Sequence, residues 1–282
     1  MERKIRKRRG RNDKAGDYRS VIKKIQPVSS LKPEFNLVLY GGPGTGKTTL
    51  AATLPTPIVF IDCSEKGTDS IRDIKSGVDV LRAETWEEVD LLYWYLKKGD
   101  HKYKSVVMDT LSQGQDLAIQ QHLREKGKVA EVGSMTQWGG DMKRQDWGKV
   151  SNQLKTFIIS MRDLPLNVCF IAHDRVFGGE EDDEENVIAP SVGPRLMPSV
   201  ATTLNGAVSI IGNTFIRERF RRSKLKKKGK KGKERRIVEY CMRIGPHAYY
   251  TTKIRKPKKI KLPDLLVDPT YSSIMELIEG ED

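Results

Sequence analysis

Gly41-Gly42-Pro43-Gly44-Thr45-Gly46-Lys47-Thr48 fits the pattern G-x-x-x-x-G-K-[ST] without a gap. Its flanks agree with it. The run Phe35-Asn36-Leu37-Val38-Leu39-Tyr40 is short, apolar and bounded by glycine, which predicts a buried strand. Thr48 to Leu54 then opens a helix that Pro55 stops. Strand, glycine loop and helix in that order form a phosphate cradle. The glycines let backbone N–H groups approach a polyphosphate, and the start of the helix adds a favourable dipole. Lys47 is the residue that reaches the β- and γ-phosphates, and the Thr48 hydroxyl is the Mg2+ ligand. Gly41, Gly42, Pro43, Gly44, Thr45, Gly46, Lys47, Thr48 and the following Thr49 are therefore the expected contacts of a nucleoside triphosphate such as ATP.

Outward from the loop, short apolar runs alternate with helical patterns. Pro57 to Asp62, Lys104 to Asp109 and Asn167 to Ala172 each predict a buried strand. Thr85-Trp86-Glu87-Glu88 has the spacing of a capping box, and Trp86, Val89, Leu92 and Leu96 continue at helical spacing to Gly99. Leu111 to about Arg124 and Asp146 to Met161 predict two more helices. Such β-α alternation predicts an α/β fold: a mostly parallel central sheet with helices on both faces. After residue 175 the pattern changes. Ala207 to Ile211, Ile237 to Ile244 and Ala248 to Ile254 read as strands without long helices between them, so antiparallel additions at the C-terminal edge of the sheet are expected.

The formal net charge of +14 is unevenly distributed over the 282 residues. Residues 1–25 hold 11 basic and 3 acidic side chains, residues 217–236 hold 13 and 2, and residues 253–261 hold six basic and none acidic. Subtracting these segments from +14 leaves −11 for the remainder. An acidic body thus carries three basic segments. Residues 1–30 read as a flexible basic arm, and residues 31–282 as one domain with a hairpin excursion at 217–236 and a tail at 255–282. No apolar run approaches the roughly 20 residues that cross a bilayer. The basic N-terminus lacks the apolar core of a secretory signal. Cys63, Cys169 and Cys241 are scattered without metal-type spacing, and they predict reduced core thiols of a cytoplasmic protein.

A phosphate cradle needs partners to do chemistry. Asp109 closes the run Ser105 to Met108, the setting of a Walker B carboxylate that holds Mg2+ through water. Asp62 and Glu65, at the end of the second run, are the candidates for orienting an attacking water. At this point a resemblance emerges. Val59 to Glu65 is similar to the stretch of RecA-like ATPases in which a strand runs into a catalytic glutamate. Val106 to Thr110 resembles their Walker B strand, and Phe170-Ile171-Ala172-His173 their next strand, which ends in a residue sensing the γ-phosphate. His173 stands where those proteins usually have Gln. Aligned without a gap, Ser64 takes the glutamate position and Glu65 falls one residue later. The resemblance assigns catalytic roles to Glu65, Lys47 and His173.

More closely, the chain resembles the RecA-like bacteriophage ATPases of the Sak type, which anneal and recombine single strands. The residues that carry this are the glycine loop, Asp109-Thr110-Leu111-Ser112, Asp146 to Val150, Asn167 to Arg175 and Tyr249 to Lys253. The resemblance implies a RecA-like core, ATP with Mg2+, single-stranded DNA as ligand, a single-strand binding protein as partner and an oligomeric ring or filament in the host cytoplasm. Arg175 and Arg195 are the candidates for a cation supplied across a subunit boundary.

The basic segments are additions to that pattern. Thirteen cations within twenty residues bind nucleic-acid backbone with strong salt dependence. Arg217, Arg219, Arg221, Arg222, Lys224, Lys226, Lys227, Lys228, Lys230 and Lys231 are the expected DNA contacts. Phe220 is the one aromatic residue among them, so base stacking there is limited. The acidic run Glu180 to Glu185 reads either as a solvated loop tip or as a clamp for a basic segment. Three functions stay open: a DNA-dependent ATPase, an ATP- and DNA-binding accessory that hydrolyses little, and a P-loop small-molecule kinase. The last leaves the basic segments without a purpose.

Overall fold

The buried runs around the glycine loop pair side by side. The computed structural model describes residues 18, 21–27, 30, 35–74, 76–127, 142–178, 190–222 and 234–279, without side chains at 221, 222, 234 and 235. Two units divide the chain, Met1–Pro33 and Glu34–Asp282. All strands described lie in the second. There β1 (Asn36–Tyr40) runs through the glycine loop into a short helix, α1 (Lys47–Ala51). β2 (Ile58–Cys63), a 3-10 turn (Gly67–Ile71), β3 (Val78–Ala83) and α2 (Trp86–Lys98) follow. Next come β4 (Ser105–Asp109), α3 (Leu111–Glu125), α4 (Arg144–Arg162) and β5 (Asn167–Ala172). The chain then forms β6 (Asp174–Phe177), β7 (Ser191–Pro194), α5 (Pro198–Ala207), β8 (Ile210–Arg222) and β9 (Glu234–Arg243). It ends in β10 (Lys253–Ile254), β11 (Leu266–Val267) and α6 (Tyr271–Glu279).

The main sheet has the order β11-β9-β8-β1-β5-β4-β2-β3, with β10 also pairing β8. From β3 to β8 every pairing is parallel; β9, β10 and β11 are the antiparallel additions. This is the expected α/β sheet, with β5 inserted between the P-loop strand and the strand that ends in Asp109. Side-chain alternation divides the core between the two faces. Val38 and Tyr40 of β1 join the cluster under α2, α3, α4 and α5, whereas Leu37 and Leu39 join the cluster with Leu50 of α1 and Ile274 of α6. Covering both faces explains why the parallel strands read as continuous apolar runs.

Local signals hold well where one element explains them. Thr85 caps α2, its side chain accepting the Glu88 N–H while Glu88 reaches back, and Gly99 closes the helix in a left-handed turn. Other expectations need correction. Ala207 ends helix α5 instead of starting a strand, because Pro198 begins a helix whose Val200 and Leu204 reach the core. β8 and β9 are longer than their apolar stretches, since they continue as a ribbon through alternating charged residues. Between Ala248 and Ile254 only Lys253 and Ile254 are strand. β3 escaped the reading because its half-exposed, polar-interrupted sequence belongs to a sheet edge.

The three cysteines are buried and free. Among the described residues no helix is long and apolar enough to cross a membrane. Most of the 127–140 stretch, the acidic run 180–185 and Lys224 to Lys231 lie outside the described residues.

Candidate nucleotide site

Parallel strands bring their carboxyl ends to one edge, and ligands of open α/β sheets bind beyond that edge. Pairing here sets Tyr40 beside Ala172, Asp109 beside Ile171, and Asp62 beside Asp109. Chain continues from these positions into Gly41, His173, Thr110 and Cys63, so four loops open on one line.

The glycine loop is tightly built. Gly46 sits in the left-handed region at φ 83°, immediately before α1. A side chain at Gly41 would run into the Thr214 carbonyl. Thr45 Oγ1 lies 2.7 Å from Thr214 Oγ1, and it donates to the Gly42 carbonyl at 2.8 Å. Lys47 is buried, its Nζ donating to the carbonyls of Gly41 at 2.8 Å and Gly42 at 2.7 Å. Burial pulls the Lys47 ammonium below its ordinary pKa, while the Asp109, Asp174 and Glu65 charges oppose that. A buried cation facing a loop of small residues fits a polyphosphate.

Thr48 Oγ1 donates to Asp109 Oδ2 at 2.8 Å. Burial raises the Asp109 carboxyl to about 6, helped by the Asp62 and Glu65 charges and opposed by the Thr48 hydrogen bond and Lys47. Gly67 closes over this carboxylate, since an added Cβ would stand 3.2 Å from Asp109 Oδ2. A hydroxyl and a buried carboxylate at the mouth of a phosphate loop fit Mg2+, which takes few protein ligands and shares the phosphate oxygens. Thr48 would bind the ion directly and Asp109 through water. Bound there, Mg2+ would neutralise charge on the β- and γ-phosphates.

The two carboxylates after β2 have different partners. Asp62 accepts from Lys66 N at 3.0 Å, Thr68 N at 3.4 Å and Thr68 Oγ1 at 2.6 Å, so it ties down the loop. Glu65 stands within that loop, before the residues that Asp62 holds. Ser64 and Lys66 on either side have φ of 68° and 54°, a conformation held by the Asp62 bonds. Glu65 Oε1 meets His173 Nε2 at 2.6 Å. Burial pushes the Glu65 carboxyl up, but the hydrogen bond and charge of His173 outweigh it, with help from Gln113 and Arg195, leaving it below its ordinary value. Glu65 and His173 are thus together, while Ser64 turns to the Ala83 carbonyl at 3.5 Å.

Some site residues were invisible in the sequence. Buried Ser112 Oγ accepts from His173 N at 3.1 Å and donates to Arg195 O at 3.0 Å, locking the His173 strand end to the Arg195 loop. Arg195 lies 3.8 Å from Asp116. Arg175 lies over the Phe177 ring at 5.3 Å. Thr214 and Tyr240 touch the glycine loop from about 170 and 195 residues away, which only strand register reveals.

A family model described as an AAA domain matches residues 34–255. The chain belongs to the AAA-domain family. This is a family of P-loop AAA-type ATPases, so the coarse reading of the glycine loop as a nucleotide site stands. No curated protein matches the chain. In this AAA domain the matched span ends at Arg255 and covers both strands of the basic ribbon. Of the expected DNA contacts, Arg217 Nε donates to Glu239 Oε2 at 2.8 Å, and Arg219 shares that carboxylate at 3.4 Å. Arg221 and Arg222 lie in β8.

Proposed function

We propose that this AAA domain is a DNA-dependent ATPase that works on single-stranded DNA, in the manner of phage Sak-type annealing and recombination proteins. One observation carries the hydrolytic half: Glu65, braced by His173 at 2.6 Å, shares a sheet edge with the Lys47 loop and the Thr48–Asp109 pair. A carboxylate kept below its ordinary pKa is ionised at neutral pH and able to orient water. The DNA half rests on the ribbon β8–β9, which starts beside the loop and leads into the lysine run of residues 224–233. ATP with Mg2+ is the proposed cofactor. A homo-oligomer and a single-strand binding protein are proposed partners, in a cytoplasmic setting.

Because His173 already engages the attacking-water candidate, a second reading is an accessory that binds ATP and DNA with little turnover. ATP hydrolysis with Mg2+, measured with and without single-stranded DNA, separates them. The ATPase reading expects stimulation by DNA. Negligible turnover with intact binding of both ligands selects the accessory, and negligible turnover without DNA binding removes both.

A further inference from the structure

The γ-phosphate chemistry fixes the direction of the bound nucleotide. Asp109, Glu65 and His173 follow β4, β2 and β5, all on one side of β1. With the terminal phosphate turned toward them, the nucleoside must leave the loop on the other side, over β8 and β9. A nucleobase is the flat, apolar end of this ligand, and it needs an apolar face there.

That face exists. Tyr240 of β9 lies against the loop itself, its ring 3.3 Å from where a Cβ of Gly46 would stand. The residue is nevertheless 44% exposed. Its register partner across the ribbon, Ile216, is 43% exposed, and Val238, two residues along the same face, is 46% exposed. Tyr240 is also held in place. Asp268 N donates to Tyr240 O at 2.7 Å, and Asp268 Oδ1 accepts from Tyr240 N at 3.4 Å. The tyrosine backbone is thereby fixed from the β11 side, while the ring stands next to the loop and open to solvent. An aromatic ring anchored this way loses little freedom when a base stacks on it.

We infer that Tyr240, flanked by Ile216 and Val238, is the platform on which the base of the loop-bound nucleotide stacks. This rests on the glycine loop being the nucleotide site. The base then contacts the ribbon directly, and nucleotide affinity has a component that phosphates alone do not supply.

Calorimetric titration with ATP and with inorganic tripolyphosphate, both with Mg2+, tests this on the full chain. Tyr240→Ala is expected to weaken ATP binding about tenfold, in line with removal of one base–aromatic stack, while tripolyphosphate affinity stays within about twofold. Tyr240→Phe, which keeps the ring, should retain ATP affinity and controls for folding. Equal weakening for both ligands would make the ring a prop for the loop and overturn the inference, as would unchanged ATP binding by Tyr240→Ala. Tyr240→Trp gives a direct readout: ATP should quench the added indole emission and tripolyphosphate should not. An indole indifferent to saturating ATP overturns the platform. A wild-type chain that binds neither ligand defeats the loop reading instead, a separately recognisable result.

Discussion

At Lys47 a buried ammonium rests on the carbonyls of its own loop, 2.7–2.8 Å away. Anionic phosphate oxygens are stronger acceptors than these carbonyls, so the lysine should turn to a nucleotide when one binds. Lys47→Ala is expected to lower nucleotide affinity by roughly 10²-fold or more by calorimetry; unchanged affinity would place the ligand elsewhere. Glu65→Gln asks a different question. The amide keeps the shape but cannot take a proton, so turnover should fall about 10²-fold while nucleotide affinity stays within a few fold. Asp62→Asn should differ from it by lowering Tm as well as turnover, because Asp62 spends both oxygens as acceptors on the loop that presents Glu65. Sequence alone left Asp62 and Glu65 competing for this role, with Ser64 at the position the resemblance gives to glutamate. What separates them is their partners, since Asp62 at the strand end bonds the loop and Glu65, between two left-handed residues, meets His173, and residue type does not encode that.

At the scale of elements, α4 shows how a helix start can carry a pH signature. Asp146 is buried at its first turn, where Oδ2 accepts from Lys143 N at 3.0 Å and Oδ1 lies 3.2 Å from His122 Nε2. Oδ1 also pairs with Lys126. Lys126 first, then the Lys143 N–H and His122, hold this carboxyl well below the usual carboxylate range. A depressed folded pKa contributes stability above the unfolded value, about 4, and the contribution disappears as pH falls toward the folded value. Asp146→Asn should therefore lower Tm at pH 7, and its deficit against wild type should shrink below about pH 4 in thermal scans. A pH-independent deficit would assign the effect to packing. The sequence made α2 and α3 legible, since Thr85 and Thr110 cap locally and the apolar spacing is helical. It made β1, β2, β4 and β5 legible because each is a short, continuous apolar run buried on both faces. It hid β3, α5 and how far β8 and β9 extend into the basic hairpin, because these depend on pairing or docking partners far along the chain.

For the molecule as a whole, charge segregation and sheet topology converge on the ribbon. The AAA domain places its P-loop strand β1 next to β8, and β8 continues past the sheet edge toward the lysine run. Testing that run requires a cut that spares the strands, since Arg217 is tied to Glu239 and Arg236 to Glu218. Replacing residues 223–233 by a short Asn-Gly turn removes the lysine run and leaves those pairs in place. Single-stranded DNA binding is expected to weaken, and the slope of log affinity against log salt to flatten by about 0.7 for each phosphate that is no longer neutralised. An unchanged slope would take this segment out of the DNA site. One consequence of the ribbon's geometry is mechanical. β11 pairs β9 as far as Cys241 and Asp268 bonds the Tyr240 backbone, so outward of the Ile216–Tyr240 pair the ribbon has no third strand among the described residues. The stretch from Ile216 to Arg222 overhangs by about 20 Å at strand rise. A tilt of about 5° at its root moves the far end by about 2 Å on that length. Tyr240 lies at this fulcrum. Any rocking of Tyr240 against the glycine loop would therefore be felt least at the loop and most at the cationic end of the ribbon.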